Sequence, residues 1–394
     1  MNKLTVKDLD LKGKKVIVRV DFNVPLDENL NITDDRRIAA ALPTIQYILE
    51  QDPAKIILMS HLGRPKGEVV EKMRLTPVAA KLEELLGQKV LKLDDCIGAS
   101  VKEAVDSSEE KVILLENLRF HKEETKNDPE FAKELASLAD VYVNDAFGTA
   151  HRAHASTEGT AKYLPAAAGF LLEKEINYLG QVVENPEKPF VLILGGAKVS
   201  DKIMLIENML SKVDAILIGG GMAYTFLKAQ GTQIGISLLE EDKIDTAKSI
   251  LAKAQEAGVN IEISRDYVVV TDFAKQEEAR IVSGDIDDGW EGVDIGPDTR
   301  KKFKDILSTA KTIVWNGPVG VFEYDAYAEG TKDLAQYISG LDQVTSIVGG
   351  GDTAAAVGKF NCEEGMTHIS TGGGASLELL EGKELPGIAA LGDK

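Results

Sequence analysis

The stretch Phe190-Val191-Leu192-Ile193-Leu194, followed at once by Gly195-Gly196-Ala197-Lys198, decides the fold of this chain. Five apolar residues with no polar interruption suit a strand buried on both faces, as in parallel sheets covered by helices. The glycine pair ends the strand, and a helical stretch follows. Outward from this point the same phrase recurs. Residues 214–218 precede Gly219-Gly220-Gly221, residues 311–315 precede Asn316-Gly317-Pro318, residues 346–348 precede Gly349-Gly350-Gly351-Asp352-Thr353, and residues 367–370 precede Thr371-Gly372-Gly373-Gly374.

The first half has the same rhythm with different endings. Residues 16–20 lead to Asp21-Phe22-Asn23, 55–59 to Ser60-His61-Leu62-Gly63-Arg64, 111–115 to Glu116-Asn117-Leu118-Arg119, and 140–143 to a segment closing on His151-Arg152. Helical stretches such as 77–86 and 241–257 lie between the runs. The expected fold is α/β: two doubly wound parallel-sheet, Rossmann-like domains, 1–172 and 189–384, joined by a helical hinge at 173–188. The hinge begins as a charged helix and ends at Pro186 and Pro189, which cannot continue one. A length of 394 residues agrees, since one ordinary hydrophobic core does not grow that large.

Composition removes several functions. A net charge of -19 opposes nucleic acid and anionic membrane as partners, because both require a cationic surface. Only Cys96 and Cys362 occur, with no CxxC or zinc spacing, so neither a disulfide framework nor a zinc motif is expected. The opening Met1-Asn2-Lys3-Leu4 runs into polar sequence, and no apolar run approaches a membrane span. A cytoplasmic protein is expected.

Ligands of open α/β sheets bind beyond the carboxyl ends of the strands, so the residues after each run carry the function. The first half places Arg64, Arg119 and Arg152 there, with His61 and, more loosely, His151 and His154; Arg37 joins them. Guanidinium forks match carboxylate and phosphate, so this edge suits a small polyanion. Asp21 and Asn23, two apart, share a face and suit a hydroxyl of that ligand. Arg19 is expected in a structural ion pair, and His121 and His368 in structural roles.

The second half places glycine at the same positions. Glycine lets backbone amides approach phosphate closely, and a following helix N-terminus favours negative charge. Tight turns would explain one or two such sites but not triple glycines, which carry an entropic penalty. Residues 351–360 have the wrong spacing for a P-loop, and no G-x-G-x-x-G opens a helix after a strand, which disfavours Walker-type ATPases and dinucleotide-dependent dehydrogenases. Lys198 and Lys202, spaced i and i+4, are expected on one face at a helix start. Asp352 is a candidate Mg²⁺ contact or a helix cap.

Six segments together resemble one family. They are Arg19-Val20-Asp21-Phe22-Asn23-Val24-Pro25, Ser60-His61-Leu62-Gly63-Arg64-Pro65, residues 145–152, residues 195–202, Trp315-Asn316-Gly317-Pro318 and Gly349-Gly350-Gly351-Asp352-Thr353. The chain is similar, along its whole length, to phosphoglycerate kinases of bacterial type. The resemblance implies that Asp21, Phe22, Asn23, Arg37, His61, Leu62, Gly63, Arg64, Arg119 and Arg152 hold 3-phosphoglycerate or 1,3-bisphosphoglycerate. It implies that Lys202, Gly219, Gly220, Glu323, Gly350, Gly351, Asp352 and Thr353 hold ATP or ADP with Mg²⁺, and that Arg37, Lys198 and Gly372, Gly373 and Gly374 serve the transferring phosphoryl group. Here Arg36 and Arg37 stand together before Ile38, and Arg37 keeps the family's spacing. The resemblance also implies a C-terminal tail, 385–394, returning to the first domain. A monomer is expected. The alternative reading is a two-lobed small-anion binding protein without catalysis.

Overall fold

The computed structural model describes residues 2–394. The chain divides into two compact units, Met1–Asn177 with Glu384–Lys394, and Tyr178–Lys383. No helix among the described residues is long and apolar enough to cross a membrane.

The first unit is built on β1 (Lys15–Val20), β2 (Lys55–Met59), β3 (Val90–Lys92), β4 (Val112–Leu114), β5 (Val141–Asp145) and β6 (Ala166–Ala168), all parallel, in the order β3-β4-β2-β1-β5-β6. Alternation along each strand divides the side chains between two faces. Val16, Val18, Val20, Ile56, Leu58, Val112 and Leu114 join one aliphatic core with Ile38, Ile45 and Ile48 of the helix Arg36–Glu50 and Val78 and Leu82 of Thr76–Leu86. Arg19, Tyr142 and Asn144 occupy the alternate positions, and are just as buried. The C-terminal segment packs in this unit: the Leu4 amide donates to the Gly392 carbonyl over 2.8 Å, Gly392 donates to Ala166 over 3.0 Å, and Gly387 donates to Ala150 over 2.8 Å.

The second unit contains β7 (Phe190–Leu194), β8 (Ala215–Ile218), β9 (Asn260–Ile263), β10 (Asp266–Val270), β11 (Arg280–Ser283), β12 (Glu291–Ile295), β13 (Thr312–Asn316), β14 (Thr345–Gly349) and β15 (His368–Ile369). Six of them form a parallel sheet in the order β15-β14-β13-β7-β8-β9, and β11-β10-β12 form a small antiparallel sheet. The two parallel sheets give the α/β class expected from the apolar runs; the antiparallel sheet is an addition. Connections run outward in both directions from the β7–β13 pair. That pair is where a doubly wound sheet opens its ligand crevice.

The helix Phe170–Glu184 spans the boundary between the units and starts earlier than the charge pattern suggested. Its first amides are already claimed: Thr44 Oγ1 accepts from Phe170 over 2.9 Å, and Asp145 Oδ1 accepts from Leu171 and Leu172 over 2.9 and 3.2 Å. Asp266 and Asp294 do the same for two helices of the second unit, accepting from Thr299 over 2.8 Å and Gly330 over 2.6 Å. Each buried carboxyl group thus satisfies helix amides that would otherwise lack partners.

Candidate active site

In the first unit the loops after β1, β2, β4 and β5 converge. Asn117, at the start of the turn Leu118–Phe120, ties two of them: its amide donates to the Leu62 carbonyl over 2.8 Å and its Oδ1 accepts from the Leu62 amide over 3.2 Å. Asn23 Oδ1 accepts from the Gly63 amide over 2.9 Å, joining the loop after β1 to the same point. Arg119 Nη1 donates to the Gly63 carbonyl over 2.9 Å.

Beside this junction lies a cavity of about 490 Å³ lined by Arg64, Arg119, Arg152 and His154, with Lys66, Gly67, His121, Lys122, Thr125 and Lys126. Sequence reasoning missed the lysines and Thr125. Lys122 and Lys126, four apart at a short helix Lys122–Thr125, were a legible signal, since that spacing stacks side chains on one face. Asp21, Asn23, Arg37 and His61 adjoin this group rather than line the cavity. Arg37 donates to Asp21 over 3.0 Å. Arg36 points away and forms an exposed pair with Asp34.

Arg19 departs from its expected ion pair. It is fully buried, and its Nε donates to Ser156 Oγ over 2.8 Å. Ser156 Oγ in turn donates to Glu124 Oε1 over 2.6 Å, so the countercharge sits one hydroxyl away. Burial pushes the Glu124 carboxyl up, and Arg19 offsets part of the rise. Arg19 Nη2 also lies 3.1 Å from His61 Nδ1. A guanidinium can only donate, so Nδ1 accepts and the His61 hydrogen sits on Nε2. Burial first, then Arg19 and its neighbours, hold His61 far below the usual histidine range and keep it neutral.

The Arg119 guanidinium is driven down to about 10 by burial and by the charges of Arg19, Arg152 and Arg64, with Glu124 opposing. Its Nε is buried without an acceptor. Clustered cations of this kind repel one another and leave a donor unpaired, a cost that a polyanion in the cavity would relieve. His154 is held at about 4 by burial and by the charges of Arg119, Arg19 and Arg152.

In the second unit the glycine loops fall into two kinds. A Cβ on Gly195 would stand 2.1 Å from the Pro318 carbonyl, and one on Gly219 would stand 2.8 Å from Val319 Cβ, so packing of adjacent strand ends accounts for these. Gly351 is different. It opens the helix Gly351–Lys359, is exposed, has no positive φ, and a Cβ there would meet nothing within 4 Å. Neither packing nor conformation asks for glycine at that place. Gly350, with φ 92°, precedes it, and Gly373, with φ 50°, precedes the helix Gly374–Leu380, so two helix starts follow left-handed glycines. Thr353 Oγ1 accepts from the Gly317 amide over 2.7 Å and fixes the first of these starts against the loop after β13.

The expected lysine pair does not share a helix face. The helix after β7 is Ile203–Met209, with Lys202 as its N-cap and Lys198 in the preceding loop. A turn from the Val199 carbonyl to the Lys202 amide, 2.8 Å, and capture of Ser200 by Glu240 delay the helix. Lys202 is hydrogen-bonded to Asn316 Oδ1. Burial lowers its ammonium, while Asp201, Glu381 and Asp352 pull it back. Asp352 is exposed in the first turn of its helix, and Glu323 is exposed beyond Phe322. Lone exposed carboxylates fit a hydrated cation such as Mg²⁺ better than one needing a full protein cage.

The family model for phosphoglycerate kinase matches residues 6–383. The solved phosphoglycerate kinase of Coxiella burnetii is 43% identical, with a TM-score of 0.90 and 98% of each chain covered. That of Pyrococcus horikoshii OT3 is 34% identical, with a TM-score of 0.83 and again 98% of each chain covered. Set beside a basic cavity in one unit and glycine-opened helix starts in the other, these likenesses show that the chain belongs to the phosphoglycerate kinase family.

Proposed function

We propose a division of labour for the family's reaction, the transfer of a phosphoryl group between 1,3-bisphosphoglycerate with MgADP and 3-phosphoglycerate with MgATP. The first unit takes the phosphoglycerate. Arg64, Arg119 and Arg152 take its phosphate, and Arg37, His61, Asp21 and Asn23 take its carboxylate and hydroxyl end, with Phe22, Leu62 and Gly63 supplying backbone. The observation that carries this reading is the unpartnered Nε of Arg119 inside a cationic cavity of an otherwise acidic chain. His61 supports it, since a neutral ring with hydrogen on Nε2 is a fixed donor.

The second unit takes the nucleotide along Gly219, Gly220, Lys202, Glu323 and Gly350 to Thr353, with Asp352 contributing to Mg²⁺. Magnesium, when bound, neutralises phosphate oxygens of the nucleotide. We assign Lys198, Arg37 and the amides of Gly372, Gly373 and Gly374 to the transferring group. In the direction of acyl-phosphate formation the attacking atom is a carboxylate oxygen with a pKa of roughly 3–4, already ionised at neutral pH. No general base is needed, in keeping with a donor-rich site. The phosphoryl group moves from the nucleotide to that oxygen as the bond to the leaving ADP oxygen breaks. Closure around both ligands would exclude water, and we assign part of that hinge to Phe170–Glu184. Equal radii of gyration with and without both ligands would count against it.

We further take the enzyme to act as a monomer in the cytoplasm, where two buried free thiols are stable. The deciding assay is ADP formation from MgATP in the presence and absence of 3-phosphoglycerate. Turnover that ignores 3-phosphoglycerate would overturn the assignment.

A further inference from the structure

Cys96 is too far in sequence from any histidine to suggest a metal site, yet the fold supplies one. Asp95 and Cys96 follow β3 and His121 follows the turn after β4; the two strands are paired, which brings their downstream segments together. A ligand atom from each of Asp95, Cys96 and His121 lies within 4.8 Å of the others. Among the described residues no other three histidine, cysteine or carboxylate side chains meet this way.

The group is held in place before any metal arrives. Asp95 Oδ1 accepts from the Cys96 amide over 2.7 Å and lies 2.7 Å from His121 Nε2. The Glu116 amide donates to the Asp95 carbonyl over 3.3 Å, and the His121 ring packs on Phe131 at 5.3 Å between centroids. Asp95 is half exposed and His121 partly so, which gives an entry path, while Cys96 is fully buried beneath them. Thiolate, imidazole and carboxylate together form a ligand set for zinc, and three protein ligands leave a fourth position for water.

We propose that Asp95, Cys96 and His121 form a binding site for a thiophilic divalent cation, Zn²⁺ or Co²⁺ in its place, at the margin of the basic cavity. As the metal–sulfur bond forms, the thiol proton leaves to solvent, and the metal-bound imidazole carries its hydrogen on Nδ1. The hydrogen bond that joins Asp95 to His121 is replaced by a shared cation. Glu116, whose amide donates to the Asp95 carbonyl, is already paired with Arg74 and Lys92, so Asp95 supplies the carboxylate for the cation. Because His121 also lines the cavity and follows Arg119 by two residues, a bound metal would stiffen the turn that carries this arginine.

The test is Co²⁺ titration of the full chain, read by the near-ultraviolet thiolate-to-cobalt absorption. One equivalent should produce the band, Cys96→Ser should abolish it, and Cys362→Ser should leave it. His121→Ala should weaken binding by at least roughly 10–100-fold, the loss that outer-shell changes alone produce. Should Cys96→Ser fail to fold, X-ray absorption of the unmodified protein with one equivalent of Zn²⁺ decides, with one sulfur expected at about 2.3 Å. A metal shell without sulfur, or a cobalt band that survives Cys96→Ser or vanishes with Cys362→Ser, would overturn the site.

Discussion

Arg37 donates to Asp21 over 3.0 Å, while its neighbour Arg36 forks onto Asp34 on the outer side of the same helix start. Adjacent residues at a helix N-terminus point about 100° apart, so only one of the two can face the loop after β1. Arg37→Ala should lower kcat/KM for 3-phosphoglycerate by about 100-fold or more, the scale of losing a charge-stabilising donor. Arg36→Ala removes an exposed pair worth about 0–1 kcal/mol and should leave kinetics within a few-fold. Steady-state assays of both variants check this, and equal losses would reassign the role.

The crowding of Arg119 by Arg19, Arg64 and Arg152 predicts a separation of binding from stability. Arg119→Ala should raise KM for 3-phosphoglycerate by about 30-fold or more, as expected when a buried charge-assisted contact worth roughly 2–3 kcal/mol is lost. Its melting temperature should barely fall, because relief of repulsion offsets the lost bond to Gly63. Calorimetry should also show 3-phosphoglycerate raising the melting temperature of the parent more than that of the variant. A variant that melts far lower but keeps its KM would make Arg119 a structural residue.

Glycine substitutions separate packing from ligand approach. Gly219→Ala forces a Cβ to within 2.8 Å of Val319 and should destabilise the second unit by about 1–3 kcal/mol. Gly351→Ala meets nothing, so stability should hold or rise slightly with the better helix former. Its KM for MgATP should nevertheless increase several-fold. The urea midpoint should therefore fall in Gly219→Ala and hold in Gly351→Ala, while nucleotide titration should weaken in Gly351→Ala; an unchanged nucleotide KM there would leave its glycine unexplained.

Asp145 carries a pH signature. Burial pushes its carboxyl up to about 7 from 3.8, although Thr44 and the amides of Leu172 and Leu171 resist. Between those values the folded chain keeps a proton that the unfolded chain has released, so this group's contribution to stability falls as pH rises through the window. Asp145→Asn keeps an acceptor for the helix amides and cannot ionise. Its urea stability relative to the parent should improve between about pH 4 and pH 7, by at most a few kcal/mol at about 1.4 per unit, and then level off. A parent–variant difference independent of pH would show that Asp145 is ionised throughout.

Much of this was legible because apolar runs and the residues after them do separate jobs. Phe190–Leu194 and Lys55–Met59 can be little but buried parallel strands, and Arg64, Arg119 and Asp352 follow strands directly. Ala166–Ala168 was not legible, since alanine favours no strand; it becomes one only by pairing with β5 and bridging to Thr5. Lys202 lies off the helix that spacing from the strand end predicts, because Glu240, forty residues away, holds Ser200 and postpones the helix. Lys66 sits in a loop whose approach to the cavity no local pattern encodes, whereas the spacing of Lys122 and Lys126 is a local signal that does not say which cavity they line. Asp95 and His121 meet through strand pairing rather than spacing.

The closing of the first unit by Gly387 and Gly392 has a consequence for synthesis. Translation proceeds from the amino end, and domains ordinarily fold as they emerge. Here the Leu4 amide and the carbonyls of Ala150 and Ala166 find partners in residues made after Lys383. The second unit, continuous from Tyr178 to Lys383, has all of its residues before the first unit has its tail. A chain truncated after Lys383 should therefore protect the later half from protease while the earlier half stays open to it; protection of both would show that the tail is dispensable for assembly.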